Sequence, residues 1–168
     1  MDEPTTFYTL LKALRRGYVL HRPILVEVAR GSHPGGEIQI EMTQTFAQPL
    51  DWKDAHSIEY ANSAYHRIGP NAQHVSGEAV VTIGRSRRCT IRVDNESVSK
   101  VHASVRYDKS LGEYQITDEG SRNGTSLGGA PLLPQQPATL WPGVYVSFGD
   151  AVFLFLDSAT LHKLARLV

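Results

Sequence analysis

Hydrophobic positions follow two different periods along this chain. In "PTTFYTLLKALRR", Phe7, Leu10, Leu11 and Leu14 fall at i, i+3, i+4 and i+7, the spacing that lines one face of a helix. Threonines precede that face where a cap belongs, and Gly17 follows where the helix should stop. Next, "PILVEVA" (Pro23–Ala29) and "EIQIEM" (Glu37–Met42) read as strands flanking the turn-rich "RGSHPGG", which predicts a hairpin with a loose loop. In the second of these, Ile38, Ile40 and Met42 alternate with Glu37, Gln39 and Glu41, so one face is expected to be wet. Residues 43–76 carry little period, beyond one or two strands expected in "SIEYANSAYHRI" (Ser57–Ile68).

From Glu78 onward the chain turns to short β runs: "AVVTI", "TIRV", "ASVRY", "YQIT", "TSL", "ATL", "VYVSF" and "VFLFL". Runs of this kind at intervals of about 8–12 residues predict a sandwich. The connectors "VDNES", "DKSLGE", "DEGSRNG", "LGGA", "WPG" and "FGD" have β-turn chemistry, so the ends of the sandwich are expected to be rich in loops. Ser158 is placed to cap a last helix in "ATLHKLARLV", with Leu161, Leu164 and Val168 on one face. The chain divides on these expectations into an N-terminal extension over residues 1–56, a sandwich domain over 57–157 and a C-terminal helix over 158–168 packed beside it.

Composition narrows the function classes. A chain of 168 residues, 41% hydrophobic and 20% charged, is expected to fold as one domain with appendages. Seventeen Lys and Arg balance seventeen Asp and Glu, which argues against a protein that coats nucleic acid. Cys89 is the single cysteine, so neither an internal disulfide nor a multi-cysteine metal cluster is expected, and the chain suits a reducing, cytoplasmic compartment. The start "MDEPTTFYTLL" lacks a basic leader region, and nowhere do about 18 apolar residues run together, so neither export nor membrane spanning is expected.

Three loop motifs stand in order within the β region: Gly84-Arg85 after a strand, "SVSKVH" (Ser97–His102), and "GSRNG" (Gly120–Gly124) after "YQITD". Each alone has an ordinary reading: an arginine at a strand end is usually solvated, and Asn-Gly is often only a tight turn. Together, on a run of short strands, they closely resemble the forkhead-associated (FHA) domain family, whose signature is Gly-Arg, then Ser-x-x-His, then an Asn-Gly loop. Here these are Gly84-Arg85, Ser99-Lys100-Val101-His102 and Asn123-Gly124, and the resemblance covers about 80 residues, Ala79 to Leu156.

The resemblance implies an all-β sandwich of about eleven strands that binds phosphothreonine peptides through the loops at one end. The residue chemistry fits that implication. A phosphothreonine brings about −1.5 to −2 charge and three strong acceptors, and Arg85 offers a planar fork of donors for two of them. Ser99 can donate its hydroxyl to another. Asn123, on a turn that Gly124 permits, presents an amide able to bond both the N–H and the C=O of an extended peptide. Lys100 matches a position that often adds a phosphate contact in the family, and equally reads as a solvated lysine. His102 is expected to tie the loops together and so orient Ser99 and Arg85, with Gly84 and Gly124 as further structural support.

One residue departs from the pattern. The family usually has a small hydroxyl residue before the Asn, whereas this chain has Arg122, which could give the phosphate or a neighbouring acidic residue an extra cation, or could crowd the site. Arg87 and Arg88 are read either as steering charges or as solubilising ones, and Cys89 as a small buried hydrophobe.

Other classes fit less well. Histidines at 21, 33, 56, 66, 74, 102 and 162 show no metal-ligand spacing, and neither a Walker loop nor a nucleophile elbow is present, so no enzyme activity, metal or cofactor is expected. Between Gly84 and Thr125, eight basic residues face six acidic ones without interleaved aromatics, which speaks against nucleic acid. The expected function is a non-catalytic phosphothreonine-dependent adaptor in bacterial Ser/Thr-kinase signalling, with a kinase or its substrate as partner. Its rival is an FHA-fold scaffold that binds without phosphate, through the N-terminal extension or a sheet surface.

Overall fold

The strand β12 (Ala151–Leu156) has an apolar side chain at every position, and the architecture follows from that run. A computed structural model of the chain describes residues 4–28, 63–69, 73–75 and 78–166. Along β12 alternate side chains point to opposite faces. Phe153 and Phe155 enter one buried cluster, while Leu154 and Leu156 enter another. A strand buried on both faces needs a layer on each side. One layer is a second sheet and the other is a pair of helices.

The first sheet has the order β2-β1-β12-β11-β8-β9, made of β1 (Ile24–Glu27), β2 (Tyr65–Arg67), β8 (Thr125–Leu127), β9 (Ala130–Pro131), β11 (Tyr145–Phe148) and β12. The second runs β10-β7-β6-β4-β3, from β3 (Gln73–Val75), β4 (Glu78–Gly84), β6 (Ala103–Asp108), β7 (Glu113–Asp118) and β10 (Ala138–Leu140), with β5 (Ile91–Arg92) paired to β4 in parallel. The expected all-β sandwich is therefore present, with twelve strands among the described residues. Val81, Ile83, Val105, Ile116, Val146 and Phe148 fill the space between the sheets.

The helices α1 (Phe7–Arg15) and α2 (Ser158–Ala165) cover the outer face of the first sheet. The helical period reads correctly in α1: Phe7, Leu10, Leu11 and Leu14 are all buried, against Ile24, Val26, Leu154, Leu156, Leu161 and Leu164. Thr6 and Thr9 form a reciprocal capping box, and Gly17 leaves the helix at φ +97°. The apolar face of α1 is thus used inside the molecule rather than presented to a partner.

Three local expectations are corrected. The hairpin expected from Pro23–Ala29 does not form along Ile24–Glu27, because β12 occupies one edge of β1 and β2 the other. Its expected mate, Glu37–Met42, lies outside the described residues, as do Val168 and all of 43–62. A division at residue 57 also leaves β1 on the opposite side from the sheet to which it belongs. Finally, the cap of α2 is Asp157, whose carboxylate accepts from the Thr160 N–H at 2.8 Å, while Ser158 is helical and donates to the Leu20 carbonyl.

Candidate functional site

The end of β4, the start of β6 and the end of β7 meet at one rim of the sandwich, and the loops that leave them are locked by named hydrogen bonds. Gly84 ends β4 against the next loop. A Cβ there would lie 2.3 Å from the Lys100 carbonyl oxygen, so this position admits only glycine. Immediately after it, the Arg85 N–H donates to the Ser99 carbonyl at 2.9 Å and the Ser86 N–H to the Lys100 carbonyl at 3.0 Å. Cys89 is buried beneath this contact and its thiol donates to the same Lys100 carbonyl. Burial pushes that thiol above its ordinary pKa, which suits the expected small hydrophobe rather than a reactive thiolate.

The segment 97–102 is pinned at both ends. Val98 is buried in the core, and Asn95 accepts both the N–H and the hydroxyl of Ser97. His102 is fully buried. Its Nδ1 accepts from the Ser99 N–H at 3.0 Å and its Nε2 meets the Gly124 carbonyl at 2.9 Å. A carbonyl only accepts, so Nε2 carries the proton and the ring is the neutral Nε2–H tautomer. His102 thus joins two loops, as a tie rather than an acid or base.

The third loop hangs on a residue that the motif reading passed over. Asp118, at the end of β7, is 1% exposed. Its Oδ1 accepts from the N–H groups of Gly120 and Ser121, and its Oδ2 from the hydroxyls of Ser121 and Thr125. Burial alone would raise its pKa, but these four bonds together outweigh it and hold the carboxyl below its ordinary value. Gly124 turns the chain at φ +80°, and the Arg122 N–H then donates to the Ser99 hydroxyl oxygen at 3.0 Å. Asn123 donates from Nδ2 to the Ser97 carbonyl at 2.8 Å. Gly149 completes the rim: its N–H donates to the Gly124 carbonyl, and a Cβ on it would sit 2.6 Å from the Ser97 carbonyl oxygen.

All the expected site residues therefore fall at one rim. Arg85, Lys100, Arg122 and Asn123 are exposed there, and Ser99 is half-buried between them. Gly84, His102 and Gly124 hold the backbone. Asp118, Ser97 and Gly149 were not singled out, although Ser97 opens the quoted "SVSKVH", Asp118 closes "YQITD" and Gly149 lies in the turn string "FGD".

The leftover donors define what the rim can do. Arg85 spends Nε on the Val98 carbonyl at 3.2 Å, which orients the guanidinium, and its terminal amino groups have no partner among the described residues. The Ser99 oxygen already accepts an N–H, so its own hydrogen is left to donate. Asn123 keeps its Oδ1 and one amide hydrogen. The side chains of Arg87, Lys100 and Arg122 make no ion pair among the described residues, whereas Arg92 pairs with Asp94. Exposed donors and unpaired cations around a serine suit a multiply charged anion. No group of three metal-ligating side chains occurs among the described residues.

Residues 81–149, which hold this rim and the strands that carry it, match the family model of the FHA domain. The chain contains an FHA domain. Within the curated proteins, this chain is 36% identical over 80 residues to the mouse angiogenic factor with G patch and FHA domains 1. That match covers 46% of this chain and 11% of the mouse protein, so the chain spans about a tenth of that relative's length. It is 29% identical over 134 residues to the oxoglutarate dehydrogenase inhibitor of Corynebacterium efficiens, which covers 71% of this chain and 91% of that protein. The solved FHA domain of an Arabidopsis thaliana hypothetical protein superposes on 94% of this chain and 92% of its own, with a TM-score of 0.51 at 17% identity. That likeness concerns the fold, including elements outside the FHA match.

Proposed function

We infer that this chain is a phosphothreonine-dependent interaction module, and that it serves as a non-catalytic adaptor in Ser/Thr-kinase signalling. One observation carries the reading: Arg85 and Ser99 are bonded to each other's loops and both face outward with unused donors. The Arg85 fork takes two phosphate oxygens, the Ser99 hydroxyl donates to the third, and Lys100 adds positive potential. Asn123, fixed by its bond to Ser97, uses its remaining amide groups on the main chain of the bound peptide. Gly84, His102 and Gly124 keep these groups in register. A partner that is a kinase or a kinase substrate follows from the chemistry of the ligand, since a phosphothreonine must be made by such an enzyme. The Corynebacterium relative is an enzyme inhibitor, which agrees with action by binding.

The alternative of phosphate-independent binding has one observation behind it. Tyr107, Leu111 and Trp141 are exposed near the β6–β7 turn, the end of the sandwich away from the rim. Fluorescence anisotropy with a degenerate phosphothreonine peptide library, beside the same library unphosphorylated, separates the two. Phosphate-dependent binding that weakens at least about tenfold in Arg85→Ala is expected, since that variant loses one or two charge-assisted bonds. Equal binding of both libraries, or an unchanged affinity in the variant, would overturn the assignment.

A further inference from the structure

Arg122 is exposed beside the phosphate seat and makes no ion pair among the described residues, and we propose that the physiological ligand carries a second anionic group, a phosphate or a carboxylate, that Arg122 binds. This rests on the phosphothreonine reading of the rim. Two arginines are rooted on the same serine from opposite loops: Arg85 through its N–H to the Ser99 carbonyl, and Arg122 through its N–H to the Ser99 hydroxyl oxygen. A phosphate has three terminal oxygens. Arg85 and Ser99 satisfy them, and Lys100 brings the local charge to balance against a dianion of about −1.5 to −2. Arg122, anchored on the same serine and exposed, is then left for a second group.

None of the rim's acids forms an ion pair with Arg122 among the described residues. Asp94 is taken by Arg92, Glu119 accepts from Ser104 on the neighbouring strand, and Glu96 makes no ion pair among the described residues. Asp150 has its own partner and lies beyond Ser97, to whose hydroxyl its N–H is bonded. The Arg122 side chain is exposed and unpaired among the described residues, on a loop that Asp118 holds through Gly120, Ser121 and Thr125. A guanidinium on a fixed stem next to the phosphate seat selects for a second planar or tetrahedral oxyanion.

The experiment uses the full chain and oriented peptide libraries with a fixed phosphothreonine. One adjacent position at a time is fixed as Ala, Asp or phosphoserine, on both sides of the phosphothreonine. The quantity read is the ratio of affinities between an anionic sublibrary and its Ala counterpart, in wild type, Arg122→Gln and Arg122→Lys. Wild type is expected to gain about five- to tenfold at one or two positions, Arg122→Gln to lose that gain, and Arg122→Lys to keep part of it. The Asp and phosphoserine arms decide which oxyanion is preferred. No gain at any position in wild type, or the same gain in Arg122→Gln, would overturn the proposal. Failure of wild type to bind even the Ala sublibrary would instead remove the phosphothreonine reading, and this inference with it.

Discussion

The residues that hold the rim together act through contacts that side-chain chemistry alone does not advertise. Gly84 is set by the 2.3 Å approach its Cβ would make to a backbone oxygen, which cannot swing away as a flexible side chain can. Gly84→Ala is therefore expected to displace the 97–102 segment, lowering the melting temperature by several degrees and abolishing peptide binding together. A variant that melts like wild type and still binds would refute the close approach. Asp118 makes a pH-dependent claim. Its pKa is lowered on folding, so its contribution to stability is present above the unfolded value of about 3.9 and disappears as pH falls through the lower folded value. In Asp118→Asn one amide oxygen can still accept both N–H groups while the two hydroxyls rotate to accept from the amide. The expected cost at neutral pH is about 1–3 kcal/mol. In urea denaturation that gap between wild type and variant should shrink as the pH is lowered past the carboxyl's titration, and a gap constant down to about pH 3 would contradict the assignment.

At the scale of elements, legibility tracked how local the cause was. The strands β4, β6, β7, β8, β10, β11 and β12 each fall on an apolar run that the sequence displays, because alternation over several residues reports a face. β3 (Gln73–Val75) and β9 (Ala130–Pro131) show no run of β-forming apolar residues, and neither was expected. Ile24–Glu27 was recognised as a strand but given the wrong neighbour, since its pairing with β12 spans the chain from one end to the other. The rim divides the same way: Arg85, Ser99 and Asn123 show themselves by spacing, while Asp118 and Gly149 matter through backbone geometry. α1 was legible as a helix, but its place was not. It shields the outer face of the first sheet, where Ile24, Val26, Leu154 and Leu156 are all less than 1% exposed. Each of its four apolar residues contributes about 1.5–3 kcal/mol by burial, against a native stability of about 5–15 kcal/mol. Removal of residues 1–16 is thus expected to leave an aggregating or molten chain, although the FHA match begins only at residue 81. A truncated chain with a sharp, wild-type-like melting transition would show that the helix is dispensable.

For the molecule as a whole, the balance of seventeen positive and seventeen negative residues conceals a local gathering of cations. Arg85, Arg87, Arg88, Lys100 and Arg122 come from three loops that share one rim, so their charges act together on a ligand bound there. Such a field acts over about one Debye length, roughly 8–10 Å at ordinary salt, and should steer a phosphorylated peptide while leaving its unphosphorylated form indifferent. Two dependences follow for the phosphopeptide. Affinity should fall as salt rises, mostly through slower association, because exposed charges are screened while the close bonds of Arg85 and Ser99 are less so. Affinity should also fall as pH drops through the second phosphate pKa near about 6, since the monoanion offers less charge and one acceptor fewer. The histidine within the rim does not face the ligand: both nitrogens of His102 are already bonded, to the Ser99 N–H and the Gly124 carbonyl. A stopped-flow and anisotropy series from about pH 7.5 to 5 therefore reads the phosphate itself. Affinity that is flat across that range would mean that charge on the phosphate is not what the rim recognises, and would turn attention to the exposed aromatic end of the second sheet.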